Sequence, residues 1–224
     1  MSFFLDGFEK GGIFMWPILL CALSALTISA ERFLFIVFRA GIHGPNFMGQ
    51  IQRHLLDADT DAAMRLCNAE PAAALPRLVK AALLRADRPD AEVRDAIDEA
   101  TLEVTPQVNR WLAFLPMIAN VSTLIGLLGT IHGLIVAFEG VGQADAVARS
   151  QMLSTGIAVA MYATFFGLLV SIPTLVVHAI LAARANAILD ELDHYGLRVL
   201  NLLNALRAAD EPSGGAPVLP FPGR

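Results

Sequence analysis

Small hydroxyl residues and glycines recur at helical spacing in two long apolar stretches of this 224-residue chain. In the first stretch, one helical face would carry Ser122, Gly126, Gly129, Thr130, Gly133 and Ala137. In the second stretch, one face would carry Thr164, Gly167, Ser171, Thr174 and His178. Two larger polar side chains, His132 and Tyr162, lie in the same stretches. Inside a membrane, such faces let helices approach closely and exchange hydroxyl hydrogen bonds.

The chemistry available to these stripes is hydrogen bonding. A threonine hydroxyl does not exchange protons at neutral pH, but it can hold a water molecule or hydrogen-bond a carboxylate. The two stretches contain no Asp, Glu, Lys or Arg, the residues that usually mark ion pathways. The imidazole of His132 could relay protons, or it could be neutral and packed. If ions cross here, this chain does not carry the titrating group alone.

Two interpretations of the stripes stay open at this point. The stripes either serve only helix packing, or together line a narrow polar pore or hold a partner helix. Under the second interpretation, the residues that face the ion pathway or a partner are Thr130, Thr164, Ser171, Ser122, Thr174, His132 and Tyr162. The residues expected to permit close packing are Gly126, Gly129, Gly133 and Gly167.

Sequence motifs of enzymes are missing. The chain has no phosphate-binding loop, dinucleotide fingerprint, nucleophile elbow or metal-spaced His/Cys cluster, so we predict no catalytic residue, cofactor or metal and no enzymatic activity. Two isolated cysteines, Cys21 and Cys67, make no disulfide framework. A net charge of −5 without a Lys/Arg-rich run argues against nucleic-acid binding.

Composition favours an all-α membrane protein. The chain is 55% hydrophobic but only 17% charged, whereas soluble domains are about a quarter charged. Three apolar stretches are long enough to cross a bilayer as helices: 11–30 with its continuation to 38, Trp111–Phe138 and Ser150–Ala183. The first is too long, and its start too acidic, for a cleaved signal peptide.

The basic residues predict the orientation. Of the 16 Lys and Arg residues, only Lys10 and Arg149 fall outside the segments 31–110 and 184–224. Because positive charge accumulates on the cytoplasmic side, both segments are expected there, with the N-terminus on the periplasmic side.

These observations divide the chain into eight segments. We expect an outer-side N-terminal segment at 1–10, a first membrane helix at 11–38, a cytoplasmic helical loop at 39–110 and a second membrane helix at 111–139. We further expect a periplasmic hairpin at 140–150, a third membrane helix at 151–183, a cytoplasmic helix at 184–209 and a disordered tail at 210–224.

Two cytoplasmic helices should be amphipathic. Asp90 can cap a helix that carries Val93, Ile97, Ala100 and Val104 on one stripe and continues into the second span, with Pro106 and Pro116 as kinks. The helix after the third span should bury Ile188, Leu192, Tyr195, Val199 and Leu203.

Three sequence blocks resemble the TolQ/ExbB/MotA family of inner-membrane stator proteins, with a pattern most similar to ExbB/TolQ. They are GGIFMWPILLCALSALTISAERF (11–33), LPMIANVSTLIGLLGTIHGLIVAF (115–138) and GIAVAMYATFFGLLVSIPTLVVHA (156–179). The second block is similar to a family signature with the core Gly-Leu-Leu-Gly-Thr-x-x-Gly. The third is similar to a signature that ends in Ile-Pro. The resemblance covers residues 8–208.

The resemblance implies an assembly and a mechanism. Family members form pentamers in the bacterial inner membrane around two single-span ExbD/TolR/MotB-like helices, each with a membrane aspartate. Proton flow, or sodium flow in some members, drives rotation that powers uptake, envelope work or motility. Thr130 and Thr164 match the signature threonines that are thought to line the inner surface. Residues 39–110 would suit a cytoplasmic partner.

Three positions depart from the family pattern. Val159 stands where the third-span signature often has glutamate, Ser171 where it has alanine, and His132 where the second span often has tryptophan. The departures leave the ion, the process and the role of a chain carboxylate open. A self-sufficient channel or small transporter, and a passive membrane scaffold, are the alternative functions.

Overall fold

A computed structural model describes residues 7, 11–141 and 146–210. The described residues are helical and form no strand. The helices are α1 (Met15–Leu34), a π-helical segment (Phe35–Ala40), α2 (Gly44–Leu56), α3 (Thr60–Ala69), α4 (Ala74–Leu84), α5 (Asp90–Asn109), α6 (Phe114–Val141) and α7 (Ala146–Asp210). The all-α prediction holds over these residues. The predicted N-terminal segment 1–10 (apart from Gly7), the middle of the hairpin, 142–145, and the tail from 211 lie outside them.

Local sequence signals set several helix ends. Pro45 occupies the first turn of α2, where its missing N–H costs no hydrogen bond. The Asp59 carboxylate caps α3 by accepting from the Ala62 N–H at 2.8 Å. Residues 110–113 form a turn between α5 and α6, with Trp111 in the left-handed region at φ 62°. The expected continuous, proline-kinked helix is therefore interrupted at this turn, which lies between Pro106 and Pro116.

The chain forms two compact units. One contains the described residues of 1–38 and 109–185, and the other those of 39–108 and 186–224. Helix α7 contributes its first part to the former and its last part to the latter. We call them the apolar unit and the polar helical unit.

The apolar unit brings together three helices. Met15 and Ile18 of α1 pack against Phe166 of α7, and Ile125 of α6 closes the cluster. Three helices of the described chain are long and apolar enough to cross a membrane, within Met15–Val37, Asp90–Glu139 and Arg149–Ala209. At most 28% of the residues in their apolar windows are buried. Most of their surface is therefore left for lipid or other protein.

The polar helical unit has a conventional apolar core. The stripe predicted on α5 (Val93, Ile97, Ala100, Val104) is buried, and so are Leu192, Tyr195, Val199 and Leu203 on α7, whereas Ile188 is half-buried. These two helical patterns are confirmed. Ile51 of α2 and Leu78 and Val79 of α4 are also fully buried. A Cβ atom built on Gly196 of α7 would lie within 4 Å of Ile97 and Leu78, so α4, α5 and α7 meet there.

Polar contacts tie the end of α7 to the start of α5. The Arg207 guanidinium donates to the Asp90 carboxylate at 2.6 Å and to the Ala86 carbonyl. The Asn204 amide donates to the other oxygen of Asp90 at 2.8 Å. Each bond is worth about 1 kcal/mol when partly exposed, so the group fixes register more than it adds stability.

An arginine is buried near the end of α1. Arg32 is 3% exposed, forms an ion pair with the neighbouring Glu31 and lies over the Phe35 ring, 4.8 Å from its centroid. The π-helical segment begins at this ring. The buried guanidinium charge of Arg32 is tolerated because the Glu31 carboxylate and the Phe35 ring replace part of its hydration shell.

The buried thiol of the polar helical unit gives a first testable prediction. Burial raises the pKa of Cys67 to about 11, although Lys80 opposes the shift, and the side chain is 2% exposed. Since the thiolate is the reactive form, Cys67 should react at pH 8 about 100-fold more slowly than an exposed cysteine. The measurement is the rate of disulfide-reagent labelling in the folded Cys21→Ala chain.

The matched control for Cys67 is a chain carrying Cys21→Ala, Cys67→Ala and Ala69→Cys, because residue 69 is exposed on the same helix. The control thiol should react quickly. Equal rates for the two thiols in folded protein would contradict the burial of Cys67. Denaturation should remove the difference.

Candidate functional site

Two glycines bring the backbones of α6 and α7 into contact. A Cβ atom built on Gly126 would lie 2.9 Å from the Ala163 carbonyl oxygen and 3.3 Å from the Gly167 Cα. A Cβ on Gly167 would lie 2.9 Å from the Ser122 carbonyl oxygen. Contacts this short leave no room for a side chain at either position. The two helices can approach this closely only because both residues are glycine.

A second glycine pair repeats the contact further along. A Cβ on Gly133 would meet the Ala160 nitrogen at 2.9 Å and the Gly156 carbonyl oxygen at 3.0 Å. A Cβ on Gly156 would in turn meet the Gly133 carbonyl oxygen at 2.9 Å and the Ala137 side chain. Sequence analysis did not single out Gly156. Its signal was available, since Gly156 precedes Gly167 by three helical turns and so shares its face.

Two hydroxyls cross the helix contact in opposite directions. The Ser122 hydroxyl on α6 donates to the Gly167 carbonyl on α7 at 3.2 Å, and the Thr164 hydroxyl on α7 donates to the Gly126 carbonyl on α6 at 3.3 Å. Ser122 is fully buried and Thr164 half-buried. Within the single chain, these two candidates lie at the α6–α7 contact.

The remaining hydroxyl candidates lie beside this contact. Thr130 is half-buried and donates to the Leu127 carbonyl of its own helix at 2.6 Å. Thr174 is buried and donates to the Val170 carbonyl at 2.7 Å. Ser171 is also buried. Both threonine oxygens keep lone pairs that can accept a further hydrogen bond.

Helix α1 covers one side of the two-helix contact. A Cβ on Gly129 would meet the Ala163 Cβ at 2.5 Å and the Phe14 Cβ at 3.4 Å, so Gly129 lies where three elements converge. Tyr162 is half-buried and packs against the cluster of Met15, Ile18 and Phe166. The structure therefore places Tyr162 beside α1.

An open cleft lies beside the second glycine pair. It has a volume of about 600 Å³ and is lined by His132, Gly133, Val136, Gln151, Met152, Thr155, Gly156 and Val159. The His132 imidazole is exposed and meets the Phe14 ring edge to face, with the centroids 5.3 Å apart. His132 and the hydroxyls of Ser122 and Thr164 thus belong to separate parts of the apolar unit.

The site offers hydrogen-bond acceptors and one imidazole. In the described part of the chain, no group of three or more His, Cys, Asp or Glu side chains is placed to hold a metal ion. Arg, Lys, Asp and Glu are also missing from Trp111–Phe138 and Ser150–Ala183. The arrangement can therefore bind a neutral or water-mediated polar group, but it supplies no carboxylate of its own.

Comparison with known proteins gives a consistent set of relatives. The MotA/TolQ/ExbB proton channel family profile matches residues 70–194. The chain is similar to biopolymer transport protein exbB1 of Vibrio cholerae, with 31% identity over 202 residues that cover 88% of this chain and 85% of the relative. It is 32% identical to biopolymer transport protein ExbB-like 1 of Synechocystis over 80% of this chain and 70% of the relative.

The Tol-Pal system protein TolQ of Haemophilus influenzae is 36% identical over 106 residues, which is 46% of each chain.

The backbone contact predicts opposite effects for the same substitution at two glycines. Gly126→Ala should destabilise the apolar unit by about 2 kcal/mol, because the new methyl group meets a backbone carbonyl that cannot rotate away. Gly49→Ala is the matched control, since a Cβ there has nothing within 4 Å and alanine favours the helix by about 1 kcal/mol. Unfolding in detergent measures both. Equal stability of Gly126→Ala and the unmodified chain would refute the close contact.

Proposed function

The chain belongs to the MotA/TolQ/ExbB proton channel family, and we propose that it is the subunit that couples ion flow, by preference of protons, to mechanical work on a single-span ExbD/TolR-like partner. The family is a proton channel family and not an enzyme family. Together with its three apolar helices, this membership makes the chain an inner-membrane protein. The rotary mechanism, the partner and the pentamer are our proposals.

One observation carries the proposal: the apolar stretches of α6 and α7, within Trp111–Phe138 and Ser150–Ala183, present hydroxyls but no carboxylate. The Thr130 and Thr164 hydroxyls both donate to backbone carbonyls, at 2.6 and 3.3 Å. Their remaining lone pairs can accept from the O–H of a protonated carboxylic acid but cannot donate to a carboxylate without breaking these bonds. Thr130 and Thr164 therefore favour the neutral form of an acid supplied by another chain.

This preference suggests how proton binding could bias movement. A protonated partner aspartate fits beside the threonines. Burial of the ionised aspartate in an apolar surrounding costs free energy, so the ionised form favours a position of the partner helix in which the carboxylate is better solvated. One charge moving through 100 mV releases about 2.3 kcal/mol. That energy is enough to shift the balance between two registers that differ by a few kcal/mol.

The exposed apolar surface supports assembly with other chains. Large side chains such as Leu124, Leu127 and Ile131 of α6 are about half exposed or more in the single chain. We propose that five copies pack around two partner helices, with the half-buried Thr130 and Thr164 toward the pathway or partner, whereas Ser122, Ser171 and Thr174 are buried within the single chain. Gly126, Gly129, Gly133 and Gly167 hold the helix pair together.

The proposed topology follows the basic residues. The N-terminus and the short link between α6 and α7 lie on the periplasmic side, and residues 39–110 and 184–224 on the cytoplasmic side. The polar helical unit then stands in the cytoplasm, where it is available to a soluble partner. The names of the relatives suggest biopolymer transport or Tol-Pal function as the process that is powered.

Replacement of the two threonines tests the proposed role. Thr130→Val and Thr164→Val should each lower partner-dependent proton uptake by vesicles about tenfold, which corresponds to the loss of one buried hydrogen bond of about 1.4 kcal/mol. Valine keeps the shape of threonine, so assembly should survive at Thr130.

Thr123→Val provides the matched control for this measurement. Thr123 lies on α6, is half-buried and donates to the Ala119 carbonyl at 3.1 Å, as Thr130 donates within its own helix. Its replacement should leave proton uptake unchanged. Full activity of Thr130→Val in an intact assembly would contradict the ion-pathway role. Proton conductance by the chain without any partner would favour the self-sufficient channel.

The assembly is tested by native mass spectrometry of the detergent-purified chain. Five copies alone, and five plus two when the candidate single-span protein is co-expressed, are expected. A monomer or dimer that ignores the co-expressed protein would overturn the proposed stator and favour a small transporter or a passive scaffold.

A further inference from the structure

The cleft beside the second glycine pair contains a titratable side chain within an apolar helix. His132 lies in Trp111–Phe138, which has no Asp, Glu, Lys or Arg, and its exposed ring lines the cleft. Gln151 and Thr155 of α7 add polar groups to the same wall. An ionisable residue within a membrane-spanning helix is by default a candidate for function.

The surroundings of His132 leave it as the titratable member of the cleft. Among the lining residues, the others are glycine, aliphatic, methionine, threonine or glutamine side chains. From α1, the neighbour is the apolar ring of Phe14. Two charged residues lie nearby along the same helices. Glu139 is two turns further along α6 on the same face as His132, and Arg149 lies two residues before Gln151 on α7.

The cleft is lined mainly by apolar residues, but it has the size to hold water beside its three polar residues, His132, Gln151 and Thr155. A volume of about 600 Å³ exceeds the roughly 30 Å³ share of one water molecule many times. Water bound to Gln151, Thr155 and the imidazole would solvate the ring when it is charged. Imidazole is the side chain whose charge ordinarily changes between about pH 5 and 8.

We propose that His132 takes up and releases protons through this cleft and relays them toward the partner's acid. In this step the neutral imidazole nitrogen accepts a proton from a hydronium ion in the cleft and leaves water. The imidazolium later gives that proton to the partner's carboxylate, which leaves a neutral imidazole and a carboxylic acid. The inference rests on the proposed function, because it needs a proton flow to serve. It assigns to this chain a titrating group of its own, in addition to threonines whose remaining lone pairs can only accept further hydrogen bonds.

Direct titration of the ring is the first test. The full-length chain with His43, His54, His178 and His194 replaced by Gln leaves His132 as the sole histidine. Imidazole ¹⁵N resonances recorded in nanodiscs from about pH 5 to 8, the range in which imidazoles ordinarily change charge, should shift as the ring takes up a proton. If the resonances do not change over this range, the ring does not exchange protons with water, and the proposed relay is wrong. This measurement needs neither a partner nor a substitution at His132.

Proton uptake by the assembled complex is the second test. When proton uptake by the complex with the unmodified chain is plotted against pH, the curve should contain a rising or falling part, a limb, whose midpoint equals the one found by NMR. His132→Gln should lose that limb and lower uptake about tenfold or more. His194→Gln is the control, because His194 is exposed on α7, lies in the polar helical unit and does not line the cleft. It should keep both the rate and the limb.

The outcomes separate the relay from the proposed function. Uptake by the unmodified complex together with an unchanged limb in His132→Gln overturns only the relay. No partner-dependent uptake by the unmodified complex at any pH overturns the proposed function and the relay with it. If His132→Gln fails to assemble in native mass spectrometry, His132→Asn replaces it, and the ring titration decides the relay on its own.

Discussion

The backbone contact between α6 and α7 is the constraint on which the apolar unit depends. Gly126 and Gly167 leave so little space that a single methyl group would meet a carbonyl oxygen at 2.9 Å. At this separation, the Ser122 and Thr164 hydroxyls reach the carbonyls of the opposite helix. Lipid supplies no hydrophobic force between helices, so close packing and these hydrogen bonds must hold the pair together.

The same constraint determines what chemistry the pair can offer. Hydroxyls that donate to backbone carbonyls present lone pairs to their surroundings, and the stretches Trp111–Phe138 and Ser150–Ala183 add no Asp, Glu, Lys or Arg. A pathway built on them needs an acid from elsewhere, which in the proposed function comes from the partner. The cleft at the second glycine pair differs because it contains the imidazole of His132.

Much of the fold was predictable because hydrophobic periodicity depends on helix geometry alone. The buried stripes on α5 and on the end of α7, including Val93, Val104 and Leu192, lie where their spacing predicts. The interruption at 110–113 was not predictable, since the left-handed conformation of Trp111 follows no local sequence preference. The prolines on either side indicate a weak region but do not specify where the helix stops.

The sequence by itself determined the class of protein, the three apolar helices, the absence of charge in two of them and the two small-residue stripes. Only the tertiary structure decided which hydroxyls cross between helices, that Gly156 belongs to the contact, and that His132 and Val159 share a cleft. The physical reason is that periodicity places residues on a face, whereas the register between two antiparallel helices is set by long-range packing.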